Sequence, residues 1–385
     1  MGDKVVNTRH SNTLVAPSYD RALSGREPGL VDEASFHQMI ALERKRTARS
    51  GKPFLLMILE GELGLSRSQG GMLKKILGAL SLSIRETDVA GSYKEGSAIG
   101  VMFTEISSED REVTVNSMMN RIYQTLRRNL NWEEFDQINI SWHAFPEDWH
   151  QGTLRGNPVL YPDLARRERA QKPFRVLKRA MDIIGSGGAL LLFSPMLLLV
   201  AVLVKLSSKG PVLFKQQRLG QFGKPFTFLK FRSMYVDNHH HIHREFMKGV
   251  INGELHDKDK GDGHKDVVYK MTDDPRITKI GKFLRRTSLD ELPQFMNVLL
   301  GDMSLVGPRP PIAYEFEEYD IWHRRRVLEI KPGITGLWQV NGRSRVRFDD
   351  MVRLDLQYAR SWSLWLDIQI LLRTPAAILL GNDAF

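Results

Sequence analysis

Residues 183–204 read IIGSGGALLLFSPMLLLVAVLV, a run of 22 without one charged side chain. Lys172, Arg175, Lys178 and Arg179 precede it, and Lys205 and Lys209 follow it. A helix needs about 20 apolar residues to cross a bilayer, so the run has the length of a span. Two features depart from a simple span. Ser194-Pro195 falls near its middle, where proline removes a backbone donor and kinks a helix. Cations also stand at both ends, whereas the positive-inside preference gathers them on one side. A hairpin that dips into one leaflet and returns accommodates both features; a kinked transmembrane helix and a very hydrophobic core helix are the alternatives. The core helix is the weakest, because a soluble helix seldom lacks a polar face over this length.

Outside that run the chain reads as a folded protein with an anionic partner. Of its 385 residues 42% are apolar and 26% charged, and the net charge is +10. The length allows two or three domains. Cysteine is absent, which removes disulfides, thiolate zinc sites and a cysteine nucleophile together. Residues 1–30 form a polar arm with no apolar stretch behind its charges, so no cleavable secretory signal is expected. From 31 to 140 helical and strand spacings alternate: a basic helix at 36–49, a buried strand at 53–59, helices at 72–85 and 111–130, and a strand at 97–103. This predicts a small α/β domain. Residues 141–171, with Pro146, Pro158 and Pro162, are expected to be a linker, and 172–385 a second domain. In the latter, 224–231 is strand-like. Residues 236–268 are a polar insert, and 362–380 is an aliphatic helix carrying Trp362 and Trp365. That helix suits either a membrane interface or the core. Within the insert, His239, His240, His241 and His243 lack the spacing of a metal site, and a solvated loop is expected.

The chemistry concentrates between 230 and 310. Thr287-Ser-Leu-Asp290-Glu291-Leu-Pro293-Gln294 sets two carboxylates side by side near a helix start. Ser288 and Glu291 have capping-box spacing, but Pro293 then falls at the fifth helical position. A start nearer Asp290 keeps the proline in the first turn, where its missing donor is not needed. Cations surround the pair in Lys230-Phe-Arg232, Asp273-Asp-Pro-Arg276, Lys282-Phe-Leu-Arg285-Arg286 and Val306-Gly-Pro-Arg309-Pro310. Carboxylates among lysine and arginine are what phosphoryl transfer with a divalent metal requires, and they are also what a network of surface ion pairs looks like. The basic residues form no recognisable nucleic-acid module, so no nucleic acid is expected as partner.

Taken together, Lys178-Arg-Ala-Met-Asp182, the Ser194-Pro195 run, Gly210-Pro-Val-Leu-Phe214, Gln217-Arg218-Leu-Gly220, KFRSM at 230–234, TSLDELPQ at 287–294, MSLVGPRP at 303–310 and KPGITGLWQVNGR at 331–343 resemble the bacterial sugar transferase family, the monotopic polyprenyl-phosphate phosphoglycosyl transferases. The resemblance implies a mostly α, membrane-associated catalytic domain. It would have a re-entrant helix at about 180–206, broken at Ser194 and Pro195, and interfacial amphipathic helices at the cytoplasmic face of the inner membrane. It further implies a UDP-sugar donor, a polyprenyl phosphate acceptor and Mg2+. Asp290 would be the nucleophile and Glu291 the metal ligand. Arg285 and Arg309 would bind phosphate, with Lys230, Arg232 and Arg276 assisting. Larger members add N-terminal transmembrane helices, and residues 1–171 contain no such run.

Arg85-Glu-Thr-Asp88-Val-Ala-Gly-Ser-Tyr93, with Lys94-Glu-Gly-Ser-Ala98 and the strand after it, is similar to a GGDEF domain. KEGSA stands where that signature belongs and lacks its acidic metal ligands, so cyclase activity is not expected. Arg85 and Asp88 keep the R-x-x-D of that family's inhibitory site, which binds cyclic di-GMP. Arginine grips phosphate or stacks on guanine, and aspartate accepts from the guanine edge; ordinary surface contacts are the alternative. The resemblance leaves cyclic di-GMP binding, self-association to a homo-oligomer, or both, as roles for the domain. It also allows a non-catalytic membrane platform with a second-messenger receptor.

Overall fold

The computed structural model describes residues 30–61, 70–104, 106, 111–147, 156–235, 240–252, 276–341 and 346–380. The chain divides into two units, the first within 1–145 apart from 44–51, the second comprising 44–51 and 146–385.

The first unit runs α1 (Glu33–Ser50, its residues from 44 onward assigned to the second unit), β1 (Phe54–Gly61), α2 (Gly70–Ser81), β2 (Val89–Lys94), β3 (Ala98–Phe103), α3 (Arg111–Asn129), α4 (Trp132–Asp136) and β4 (Ile138–Phe145). Its sheet has the order β2-β3-β1-β4 with every neighbouring pair antiparallel. β1 is central, and its first six residues, FLLMIL, are all buried. A strand covered on both faces has no position for a polar side chain, which is why the apolar run was legible. Leu55, Met57 and Leu59 join one core with Met72, Ile76, Ile122 and Leu126 of α2 and α3. On the opposite face Phe36 of α1 lies over Gly91 and Gly100. These are cross-strand partners at which an added Cβ would come within 2.4 and 2.3 Å of the ring. The α/β alternation is as expected. β4 runs five residues past the boundary expected at 140, because Trp142 stacks on Phe103 within the sheet.

The second unit is mostly helical. It comprises α5 (Pro162–Ala170), α6 (Lys172–Leu192), α7 (Ser194–Ser207), β5 (Leu213–Leu219), β6 (Pro225–Phe231), α8 (His240–Ile251), α9 (Lys279–Arg286), α10 (Gln294–Leu300), β7 (Ser304–Val306), α11 (Ala313–Glu317), α12 (Ile321–Glu329), β8 (Gly333–Thr335), α13 (Leu337–Asn341), α14 (Phe348–Ser361) and α15 (Leu364–Leu380). The expected linker therefore contains helix α5. The uncharged run is two helices, α6 and α7, bent by 62°. Phe193 is the joint, and Pro195 sits in the first turn of α7, where its missing N–H costs no bond. The Ser194 hydroxyl donates back to Leu191 O at 2.7 Å. Among the described residues no single helix is long and apolar enough to cross a membrane, but the bent pair passes that test together. Ile184, Leu191, Leu192, Leu198, Leu199 and Leu206 on it are exposed, an apolar surface larger than water-facing helices carry.

One other expectation changes. The insert is not loop throughout: α8 buries Val250 and Ile251 and pairs Arg244 with Glu317 of α11 (3.4 Å) and Lys248 with Glu318 just after it (3.8 Å). Apolar residues at 250 and 251 give this stretch one buried face, which a helix satisfies and a solvated loop does not. His239, residues 253–268 and the side chains of His240, His241 and His243 lie outside the described residues. The C-terminal helix α15 is two-faced, with Asp367 and Ile370 in the core and Trp365 and Leu372 exposed.

Candidate active site

The hairpin β5–β6 supplies the floor. Its register opposes Phe214 to Lys230, Gln216 to Phe228 and Arg218 to Phe226, so these six side chains share one face. Lys230 Nζ lies 5.2 Å from the centre of the Phe214 ring, and the Arg218 guanidinium lies 4.2 Å from that of Phe228. Arg218 is further fixed by Gln216 Oε1 at 3.0 Å and by Pro310 O at 2.8 Å. Two cations set in aromatic surroundings are partly stripped of water, and the ring faces offset part of that loss.

The carboxylates sit just ahead of a helix N-terminus, as expected. Leu289–Glu291 form a single 3-10 turn and α10 begins only at Gln294, after Pro293. Ser288 makes no side-chain cap and is held at φ 56°, left-handed backbone that a non-glycine residue occupies only under strain. The capping-box spacing therefore forms no box. Asp290 is 8% exposed and Glu291 half-buried. Two links hold this turn against the hairpin. Asn297 of α10 accepts from Leu229 N–H at 3.0 Å and donates to Thr227 O at 2.7 Å, substituting for a strand partner of β6. On the other side α9 meets Ser233 end on. Thr278 N–H donates to Ser233 O at 3.1 Å, and a Cβ on Gly281 would stand 2.0 Å from that oxygen. Arg285 projects from this helix and its Nε donates to Ser233 Oγ at 3.0 Å.

Arg309 enters on the loop after β7. The parallel pair β7–β8 is closed by Gly307 N–H to Thr335 O and Gly333 N–H to Pro308 O, both 2.8 Å. An added Cβ would lie 2.3 Å from Lys331 O at Gly307 and 2.1 Å from Gly307 N at Gly333, so the glycines of VGPRP and KPGITG are required by this approach. The Arg309 carbonyl accepts from Arg326 at 3.1 Å, and Arg326 pairs with Asp355 at 2.8 Å, leaving the Arg309 side chain exposed.

These elements bring Asp290, Glu291, Lys230, Arg285 and Arg309 into one electrostatic neighbourhood. Burial pushes the Lys230 ammonium down to about 8; Asp290 pulls it upward, while Arg285, Arg218 and Arg309 push it further down. Burial, then Arg309, lowers Arg218 to about 10 against the pull of Glu315 and Glu291. Four cations, Lys230, Arg218, Arg285 and Arg309, thus share one field with three carboxylates, Asp290, Glu291 and Glu315, an excess of positive charge that suits a diphosphate. Arg218 has no role in the sequence reading, and its own strand, LFKQQRL, carries no signal for one; it joins the aromatics only through its register with Phe226 and Phe228 of β6. Tyr314 of α11 was also missed. Burial, then Glu315, raises its hydroxyl to about 12, with Arg218, Arg244 and Arg276 opposing.

Arg232 does not join them. It is buried, and its Nη2 donates to Ser208 O at 2.7 Å and Ser208 Oγ at 2.9 Å, closing the C-terminus of α7. β6 ends at Phe231, so the alternation that would set residue 232 beside residue 230 no longer applies. In the first unit Asp88 accepts from Arg85 N–H at 2.8 Å and Thr104 N–H at 3.4 Å, locking its own turn, and the Arg85 side chain is exposed. Among the described residues no three His, Asp or Glu gather as a metal cage. Mg2+ commonly uses one or two carboxylates plus substrate phosphates, so the Asp290-Glu291 pair fits that ion with a phosphorylated substrate.

The sequence profile of the bacterial sugar transferase family matches residues 173–381, more than half of the chain. The galactosyl transferase CpsE of Streptococcus agalactiae serotype III is 46% identical over 210 residues, which are 54% of this chain and 43% of that protein. The UDP-glucose:undecaprenyl-phosphate glucose-1-phosphate transferase of Escherichia coli K12 is 43% identical over 212 residues, 52% of this chain and 39% of that one. The chain spans less than half the length of these two curated relatives. Among solved structures, a DGC protein from Thermotoga maritima covers 31% of the chain at 17% identity and a TM-score of 0.25, too slight a likeness to carry weight.

Proposed function

The chain belongs to the bacterial sugar transferase family, and on that premise we propose that it moves a sugar 1-phosphate from a UDP-sugar to polyprenyl phosphate, undecaprenyl phosphate in particular. The observation that carries the reading is the buried Asp290 beside Glu291, ringed by Lys230, Arg218, Arg285 and Arg309. An Asp290 carboxylate oxygen attacks the β-phosphorus of the donor. The bond from that phosphorus to the bridging oxygen breaks, and UMP leaves with the electron pair. The acyl phosphate so formed carries the sugar. An oxygen of the lipid phosphate then attacks the same phosphorus, which frees the Asp290 carboxylate and gives the polyprenyl diphosphate sugar. Glu291 would hold Mg2+, which when bound offsets charge on the diphosphate. Lys230, Arg285 and Arg309 bind the phosphates, with Arg276 assisting.

The bent pair α6–α7 is the re-entrant membrane element of this reading. It buries its apolar surface in one leaflet, with α15 at the interface, on the cytoplasmic face of the inner membrane. The lipid phosphate then only has to reach the headgroup plane. The product would begin a cell-surface glycan such as exopolysaccharide, capsule or O-antigen. For the first unit the proposal is a degenerate GGDEF-like domain serving self-association or cyclic di-GMP binding through Arg85. Calorimetry of the full chain with no heat at high micromolar cyclic di-GMP removes the binding half.

The test is UMP release by nanodisc-held protein with Mg2+, undecaprenyl phosphate and a panel of UDP-sugars, beside Asp290→Asn. Release with one donor, lost in the variant and dependent on Mg2+, is the expected result and names the sugar. Silence across the panel, with and without cyclic di-GMP, overturns the reading in favour of a non-catalytic platform.

A further inference from the structure

The motif Lys178-Arg-Ala-Met-Asp182 takes no part in the chemistry above, yet each of its charged side chains reaches a backbone segment that carries the site. Arg179 Nη1 and Nη2 donate to Val298 O and Leu299 O at 2.6 and 2.7 Å, in the last turn of α10. That helix follows Asp290 and Glu291 by three residues. Asp182 Oδ1 accepts from Ser304 Oγ at 2.9 Å and from Leu305 N–H at 3.0 Å, in the strand that leads to Arg309. Lys178 Nζ lies between Val306 O at 3.4 Å and Asp367 Oδ2 at 2.7 Å. Asp367 in turn accepts from the Tyr358 hydroxyl at 2.6 Å and from Trp362 Nε1–H at 3.2 Å. Asp182 and Asp367 are 3% and 0% exposed. Carboxylates buried to that degree persist only where their lone pairs are used, and here they are.

Residues 178, 179 and 182 lie within one turn and a half of a helix, on adjoining faces. The two segments they grip are the last turn of α10, the helix that follows the carboxylate turn, and β7, the strand that leads into the Arg309 loop. We propose that this stretch of α6 is a positioning clamp that sets the distance between Asp290-Glu291 and Arg309. Phosphoryl transfer depends on such distances, because a misplacement of about 1 Å costs on the order of a hundredfold in rate. Since α6 is the first half of the bent pair, the seating of that pair is coupled to the geometry of the site. The catalytic consequence rests on the transferase reading; the clamp itself does not.

Both halves are measured on the full chain in nanodiscs, by hydrogen exchange read segment by segment and by UMP release per folded molecule. Asp182→Ala is expected to speed exchange across 303–309, and Arg179→Met across 294–302, with the β5–β6 hairpin unchanged. Either variant should lower UMP release about tenfold or more and raise the Mg2+ concentration for half-maximal rate several-fold. A loss of folded protein alone would not move that Mg2+ dependence. Asp182→Asn keeps the acceptor oxygen used by Ser304 and Leu305, and Arg179→Lys keeps a donor, so each should recover part of both readings. If Asp182→Ala does not fold, Ser304→Ala removes one of the two bonds to Oδ1 and decides by the same readings. Unchanged exchange in both segments, or changed exchange with wild-type UMP release and Mg2+ dependence, overturns the clamp. A wild-type protein that releases no UMP fails the transferase reading instead, and the exchange pattern still decides whether the two segments are held from α6.

Discussion

Replacing Arg326 with methionine tests how the Arg309 loop is supported. Arg326 and Asp355 are 2% and 1% exposed and form an ion pair at 2.8 Å. The same guanidinium donates to Arg309 O at 3.1 Å and lies 3.4 Å from the Tyr319 hydroxyl. Even with its cation present, burial holds the Asp355 carboxyl up to about 6. Removing one partner of a buried pair strands the other charge and costs about 3–5 kcal/mol. A unit of this size loses roughly 2–4 °C of unfolding temperature per kcal/mol, so a fall of about 10 °C is expected near pH 8. The pH dependence has a definite sign. The unfolded carboxyl titrates near ~3.9, below its folded value, so the native state holds the proton through the interval between them. Asp355 therefore contributes stability that is lost as pH rises from about 4 to about 6. Without Arg326 its folded value rises further, so the deficit of Arg326→Met against wild type opens above pH 6 and narrows towards pH 5. The double variant Arg326→Met/Asp355→Leu buries no charge there and should regain most of the loss. Thermal unfolding followed by tryptophan fluorescence across this pH range reads all three proteins. A deficit independent of pH, or a double variant as unstable as the single one, would refute the reasoning.

Four further outcomes follow from the residues in and around the site. Lys230 titrates at about 8, so kcat/KM for the UDP-sugar should fall as pH rises through that value, while Lys230→Arg removes the alkaline limb; a limb unmoved by Lys230→Arg would show that another group titrates. The same lowered value has the opposite effect on stability, which should rise from about pH 8 up to the unfolded value near ~10.4, because the unfolded chain binds the extra proton there. Gly281→Ala places a Cβ 2.0 Å from Ser233 O, a backbone clash with no side chain to yield, and should cost about 1–3 kcal/mol or more while moving Arg285 off Ser233. An unfolding temperature equal to wild type would mean that α9 shifts freely. Arg232→Met removes the bonds to Ser208 O and Oγ that close α7 and should destabilise by about 1–3 kcal/mol, read by thermal unfolding; no change would mean those bonds are replaced by others.

How much was legible depended on whether the deciding signal was local. The uncharged run and its break at Ser194-Pro195 were readable because composition and proline act where they stand, and the helix does break at Phe193. The buried strand at 54–59 was equally plain, since a strand covered on both faces carries no polar residue. The helix at 240–251 lies in a stretch whose composition reads as a polar insert; among its described side chains Val250 and Ile251 are buried.

The candidate site divides in the same way. The residue types on which the proposed chemistry rests, Asp290 and Glu291 among cations, are a matter of sequence, because charge and nucleophilicity belong to single side chains. Which cations face those carboxylates was decided only by tertiary structure. The β5–β6 register turns Arg218 and Lys230 to one face, the end of β6 at Phe231 releases Arg232 towards α7, and Gly281 lets α9 approach closely enough for Arg285 to reach Ser233. The placing of Lys178, Arg179 and Asp182 against segments more than a hundred residues away is of the same kind. A sequence states what each side chain can do; which partner it meets is settled by cross-strand register and helix packing between segments that only folding brings together.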